Sequence, residues 1–114
     1  MSNIVNKPWG HENRWAITEK YLGKILHIKA GHRLSRQYHE KKDESIYILE
    51  GTLILEIGLD DKIEKIVLGP GSSWRIEPGT IHRFAAPSGG CVLIEVSTPE
   101  IEDVIRLEDD YSRK

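Results

Sequence analysis

The sequence predicts an all-β protein of two antiparallel sheets, closed as a sandwich or barrel. Apolar runs of roughly four to eight residues, rich in Ile, Leu, Val, Tyr and Trp, recur about every ten residues along most of the chain. Turn residues separate these runs, and no segment keeps a helical period beyond about two turns.

Taken in order, Lys7-Pro8-Trp9-Gly10 comes first. Proline withholds a backbone donor and glycine permits a turn, so this segment is expected to cross the surface with Trp9 as its anchor. The strand-like runs then cover 14–18, 23–30, 33–40, 44–51, 52–58, 62–69, 72–77, 80–86 and 91–97. In 52–58, Leu53 and Leu55 share one face while Thr52, Ile54 and Glu56 share the other. One apolar and one mixed face is the pattern of a sheet packed on a second sheet. Glu50-Gly51 and the stretch 58–62 read as hairpin connections, and Gly69-Pro70-Gly71 interrupts regular structure. After Pro99 the chain turns acidic, with Ile101, Val104, Ile105 and Leu107 the large apolar residues before Tyr111. That pattern fits a helical turn followed by an extended tail on the barrel, or a frayed terminus.

A chain of 114 residues with 39% hydrophobic and 30% charged residues is expected to form one domain, residues 1–114. The formal charge of −2 gives no reason to expect nucleic acid or a membrane surface as partner. A single cysteine, Cys91, has no internal disulfide partner and sits in the apolar run CVLIEV, where a small buried side chain fits. No apolar stretch approaches the roughly 18 residues of a membrane span, and the first residues lack a signal-peptide core. A cytoplasmic location is expected.

The stretch 31–51 carries the chemistry. Gln37 and His39 stand two residues apart, on one face of a strand, and one turn with a returning strand is expected to bring Glu44 beside them. His82, in the run IEPGTIHRF, is the candidate for a fourth donor. Imidazole nitrogen, carboxylate and amide oxygen suit zinc, with manganese, iron, cobalt and nickel as alternatives, and the lack of thiolates argues against a closed structural zinc site. His11, His27 and His32 read as surface or locally bonded histidines.

These residues fall into two ordered motifs. The first runs Gly31, Gln37, His39, Glu44, Gly51, and the second Gly71, Pro78, Gly79, His82. Their spacing resembles that of the cupins, with Gln37 in place of the first histidine, Glu77 in place of a proline and Ala86 in place of an asparagine. Glutamine at that position, together with Lys7-Pro8-Trp9-Gly10, Gly79-Thr80-Ile81-His82-Arg83, Leu93-Ile94-Glu95-Val96 and the closing run 103–111, resembles the C-terminal isomerase domain of type II mannose-6-phosphate isomerases. In those enzymes the domain is usually fused to a mannose-1-phosphate guanylyltransferase; here the expectation is a standalone cupin domain.

The resemblance implies a cupin jelly roll with a short irregular C-terminal tail. It implies Gln37, His39, Glu44 and His82 as metal ligands and Arg106 as the cation over the metal that steadies an enediol oxyanion. Without it, Arg106 would read as a surface partner of Asp103 or Asp110. Lys42 resembles a cation found beside the metal-binding glutamate, and also reads as a solvated hairpin tip. Isomerisation needs a group that moves a proton between adjacent carbons, and Glu95, a carboxylate interrupting CVLIEVS, is the first choice, the alternative being an edge position. Ser35, Arg33 and Arg113 are the expected phosphate donors, while Arg36 and Arg83 are expected to point away from the ligands by alternation. Trp74 reads as core packing or cavity lining.

The function expected is a metal-dependent isomerase interconverting mannose 6-phosphate and fructose 6-phosphate. The alternatives are an isomerase of free sugars and a metal-containing sugar-binding cupin without catalysis. An iron dioxygenase is a third, against which Gln37 counts. A small-molecule sugar phosphate and a second copy of the chain, paired through N-terminal strands, are the expected partners.

Overall fold

A computed structural model describes residues 3–113. Eleven strands are present among them: β1 (Ile4–Lys7), β2 (Gly10–Ile17), β3 (Leu22–Ile28), β4 (Arg36–Tyr38), β5 (Glu44–Gly51), β6 (Leu53–Ile57), β7 (Glu64–Leu68), β8 (Ser73–Ile76), β9 (His82–Ala85), β10 (Cys91–Ser97) and β11 (Ile105–Glu108). A 3-10 turn, Asp60–Lys62, joins β6 to β7. One sheet has the order β1-β2-β3-β10-β5-β8 and the other β11-β4-β9-β6-β7, with antiparallel pairing throughout the named strands.

Alternation sorts the side chains between core and surface. On β10, Cys91, Leu93, Glu95 and Ser97 are buried between the sheets, while Val92, Ile94 and Val96 face outward. Ile46 and Ile48 of β5 and Leu53 and Leu55 of β6 fill the centre with Leu93. The Cys91 thiol is buried, and burial pushes its pKa up to about 11. Trp9, in the turn between β1 and β2, is 2% exposed and belongs to the same core, so the anchor is set inside the barrel.

Four local expectations change. The first residues form β1, which pairs with β2 and makes one edge of its sheet. Glu50-Gly51 is a corner between sheets rather than a hairpin, because β5 and β6 belong to different ones. Gly51 has φ 77°, and a Cβ there would lie 2.2 Å from the Gly90 carbonyl oxygen, so the corner admits only glycine. Likewise β4 and β5 lie in opposite sheets, so Glu44 meets His39 from the facing sheet and not on a returning strand. The tail expected to be irregular contributes β11, which pairs with β4 and sets Arg106 opposite Gln37. No helix among the described residues is long and apolar enough to cross a membrane.

Candidate metal centre and its cavity

Three strands of the second sheet place a row of side chains in register. Arg106 on β11 pairs with Gln37 on β4, and Gln37 pairs with His82 on β9. Side chains directly opposite on neighbouring strands lie on the same face about 5 Å apart at Cβ, so the three look together into the interior. His39 follows at the end of β4, and Glu44 opens β5 in the facing sheet.

His39, Glu44 and His82 are all buried, and their donor atoms lie within 4.8 Å of one another. Glu44 Oε1 is 3.5 Å from His39 Nε2 and 3.3 Å from His82 Nε2. Both rings are oriented from behind. His39 Nδ1 meets the Asp103 carbonyl oxygen, and His82 Nδ1 meets the Thr80 carbonyl oxygen at 2.9 Å. A carbonyl only accepts, so each Nδ1 carries the proton, which leaves Nε2, turned inward, as the atom whose lone pair is available to a metal. Both Nε2 atoms are buried without a hydrogen-bond partner. Two inward lone pairs around a buried carboxylate repel one another unless a cation sits among them, which is the donor arrangement of a divalent metal site.

Gln37 is fixed by Ser35, whose hydroxyl donates to Gln37 Oε1 at 2.6 Å. An amide oxygen has two lone pairs, so this bond leaves one for a metal. Ser35 is 1% exposed and does not line the cavity. The expectation that it meets phosphate at the mouth is corrected: alternation gave its face, but not its depth or its commitment to Gln37. Ser35→Ala is expected to lower divalent-metal affinity about 10- to 100-fold, the usual effect of losing an outer-shell partner, measured by competition with a chelator.

Carboxylates and ammonium groups alternate outward from Glu44. Lys42 Nζ is 3.3 Å from Glu44 Oε2 and donates to Glu95 Oε2 at 3.0 Å. Burial alone would lower the Lys42 pKa, but Glu95 and Glu44 outweigh it and raise the value. Lys42 is therefore a buried structural cation, not the solvated hairpin tip. Glu44 is held well below the usual carboxylate range when no metal is bound: burial opposes its charge, and hydrogen bonds that His39 and His82 donate with Nε2 protonated, together with the Lys42 charge, overcome that. Burial, and then the Glu44 charge, push the Glu95 carboxyl above its ordinary value, against Lys42 and Lys24.

A cavity of about 120 Å³ opens onto these groups, and Gln37, His39, Lys42, Glu44, Glu95, Arg106 and Arg113 line it. Arg33 does not. It forms a two-bond fork with Asp110, at 2.7 and 3.0 Å, outside the cavity. The expected phosphate role of Arg33 is thus corrected, since the acidic tail captures it. Arg36 and Arg83 are also buried away from the cavity, bonded to Glu56, Glu108 and Asp110. Trp74 is 38% exposed and outside the lining. His11 and His27 stack at 4.3 Å on the outer face of the first sheet.

Asp103 was missed as a site residue. Its carboxylate accepts the backbone N–H groups of Glu40, Lys41 and Lys42 at 3.0, 2.7 and 2.9 Å. One residue thus clamps both the His39 ring and the loop that carries Lys42. Burial would raise its pKa, but the three donors outweigh that and lower it. No local signal marks this role, because the partner loop lies about sixty residues away.

The cupin domain family matches residues 24–97, more than half of the chain. The chain belongs to the cupin family. Among curated proteins it is 33% identical to mannose-1-phosphate guanylyltransferase ManC of Salmonella typhimurium, over 99% of this chain and 24% of that protein. It is 31% identical to the alginate biosynthesis protein AlgA of Pseudomonas aeruginosa, over 96% of this chain and 23% of that one. The chain therefore spans about a quarter of the length of these relatives. The fold is shared with KdgF from Halomonas sp. (TM-score 0.76, 20% identity, 88% of this chain and 90% of that one). It is also shared with the capsular polysaccharide assembling protein CapF from Staphylococcus aureus (TM-score 0.80, 15% identity, 95% and 34%).

Proposed function

We propose that the protein is a divalent-metal-dependent isomerase of a sugar phosphate, interconverting mannose 6-phosphate and fructose 6-phosphate. The observation that carries this reading is that the His39, Glu44 and His82 donors gather beside one cavity, which His39 and Glu44 line together with Glu95, Lys42 and Arg106. Mannose 1-phosphate in the names of relatives covering nearly the whole chain supports a mannose phosphate as substrate.

Gln37, His39, Glu44 and His82 would hold the metal, zinc first among the candidates. Such an ion, when bound, supplies Lewis-acid polarisation of the sugar carbonyl. Glu95 then takes the proton from C2 of the aldose, and the electron pair released forms the double bond of a cis-enediol. Returning that proton, or one taken from solvent after exchange on Glu95, to C1, while the C2 hydroxyl proton passes to the C1 oxygen, gives the ketose. The raised carboxyl of Glu95 brings its proton affinity closer to neutral pH, which suits a group that must both take and give. Lys42 holds the Glu95 carboxylate in place, and Arg106, charged at any working pH, faces the enediol oxygen.

Conversion of mannose 6-phosphate to fructose 6-phosphate by the metal-loaded protein, followed by 13C NMR, tests the reaction. Turnover abolished by EDTA and restored by one divalent ion supports it; a metal-loaded protein that leaves the sugar unchanged sinks it.

A dimer paired through the N-terminal strands is the expectation from sequence; we propose instead that two copies meet on the outer face of the first sheet. Trp15, Tyr47, Leu49 and Val96 are 54%, 47%, 40% and 46% exposed on the outer face of the first sheet, with Ile25 and Ile94 between them. No charged side chain is among these six, so an identical copy meets no repulsion there, and a contiguous apolar patch of this kind marks an interface. The occupant proposed is a second copy of this chain. Light scattering is expected to give twice 13.0 kDa, and Tyr47→Asp half of that. A monomeric parent at micromolar concentration would contradict the pairing.

A further inference from the structure

The cavity extends past the metal donors to a wall made by β1, β2 and β3, where cations outnumber carboxylates locally. Lys7, Arg14 and Lys24 line that wall with Glu12. The Glu12 carboxylate, in a residue only 5% exposed, accepts from Arg14 Nε at 2.8 Å and lies 3.5 Å from Lys24 Nζ. Lys24 itself is 7% exposed. On this wall Glu12 is thus shared by three cations, of which Lys24 also feels the Glu95 charge. Arg113, which also lines the cavity, adds no net charge because it is paired with Asp109. The other lining carboxylates are Glu44 and Glu95, which face Lys42, Asp103, which caps the 40–42 loop, and Glu102.

The backbone is shaped for this arrangement. The register of β2 against β3 breaks between Asn13 and Ala16. Arg14 consequently turns to Glu12 inside, while the Trp15 ring lies outside against Gly23. A Cβ on Gly23 would lie 2.5 Å from the indole, so glycine lets the ring lie flat against the strand. Lys7, next to Pro8, is brought inward by the Trp9 anchor. Burial lowers its pKa, and Arg14, Lys24 and Arg113 add repulsion against the pull of Glu12. Over the whole lining, with Arg113 paired to Asp109, cations and carboxylates are equal in number. The positive charge is therefore not in excess but concentrated on this wall, away from the carboxylates at the metal donors, and a concentrated positive wall attracts an anion.

We propose that Lys7, Arg14 and Lys24 form the subsite for the phosphate dianion of the substrate, whose polyol end lies at the metal donors. This rests on the sugar-phosphate reading above. It gives the phosphate a place on the first sheet, in exchange for the Ser35 and Arg33 positions that the fold commits elsewhere. It also gives the Lys7-Pro8-Trp9-Gly10 segment a role in binding.

The test uses the metal-loaded protein in two arms, 1H–15N NMR titration with inorganic phosphate and with mannose 6-phosphate. Both ligands are expected to shift amides of β1–β3. The sugar phosphate should bind at least tenfold more tightly, and Lys7→Gln and the double variant Lys7→Gln/Arg14→Gln should weaken both by tenfold or more. In turnover, KM for mannose 6-phosphate should rise at least tenfold in Lys7→Gln with kcat within about threefold. Lys65→Gln, a change to an exposed lysine on β7, controls for charge alone and should leave phosphate binding unchanged. Binding unaffected by Lys7→Gln, with that variant folded as judged by its spectrum, overturns the subsite. So does equal affinity for the two ligands, which would mark a site for free phosphate. Sugar-phosphate binding lost in the variants of a protein that never isomerises would keep the subsite and remove the reaction; turnover unaffected by Lys7→Gln would do the reverse.

Discussion

Glu44→Gln is expected to strip the protein of its divalent metal, with affinity falling more than about a hundredfold, since even outer-shell losses at such sites cost 10- to 100-fold. Glu44 is the carboxylate to which both histidine Nε2 atoms point, at 3.5 and 3.3 Å. An amide of the same shape removes the negative charge and keeps the packing. It also removes one of the two carboxylates that face the buried Lys42 ammonium, leaving Glu95 to balance it alone. Glu44 is held ionised by His39, His82 and Lys42, and the amide gives up those interactions, so the metal-free variant should also unfold at lower urea than the metal-free parent. His82→Ala should lose the metal as well while leaving the Lys42–Glu44–Glu95 set intact. Metal content after dialysis against a weak chelator, read beside urea midpoints, separates the two effects. Stoichiometric metal in both variants would mean that the ion sits elsewhere.

Arg106→Ala is the complementary experiment. Metal content should stay at the parent level, and kcat should fall about 100- to 1,000-fold, the usual loss when a single group facing a developing oxyanion is removed. The expectation follows from register: β11 sets Arg106 opposite Gln37, on the cavity lining. Arg106→Lys should recover little, because an ammonium on a flexible stem does not reproduce the guanidinium fork. A fully active Arg106→Ala protein would return this residue to an ordinary surface cation.

Much of this was legible along the chain, for reasons that differ by residue. Strand alternation is local, so the run around Leu53 and Leu55 could be assigned its buried face directly. The donor set could be read because Gln37, His39, Glu44 and His82 keep the spacing of two known motifs. Depth and pairing could not. Ser35 and Arg33 stand on an alternating run, yet one is sealed beneath Gln37 and the other is taken by Asp110, seventy-seven positions away. Asp103, Glu12, Lys24 and Lys7 were missed because their contacts cross strands or sheets, and a charged residue on an otherwise apolar strand looks the same in sequence whether it meets a partner or solvent. The acidic tail was read as irregular because its few apolar residues give β11 no period of its own; pairing with β4 supplies what propensity does not.

Proton exchange at C2 tests the central claim most directly. Metal-loaded protein is incubated with mannose 6-phosphate in D2O, and the C2 proton is followed by 1H NMR, with and without EDTA and with Glu95→Gln beside the parent. The account predicts loss of the C2 signal with the metal-loaded parent, none with EDTA, and at least about a hundredfold slower loss in Glu95→Gln, which removes the proton-accepting carboxylate. A C2 proton that persists in the presence of fully metal-loaded protein would contradict it.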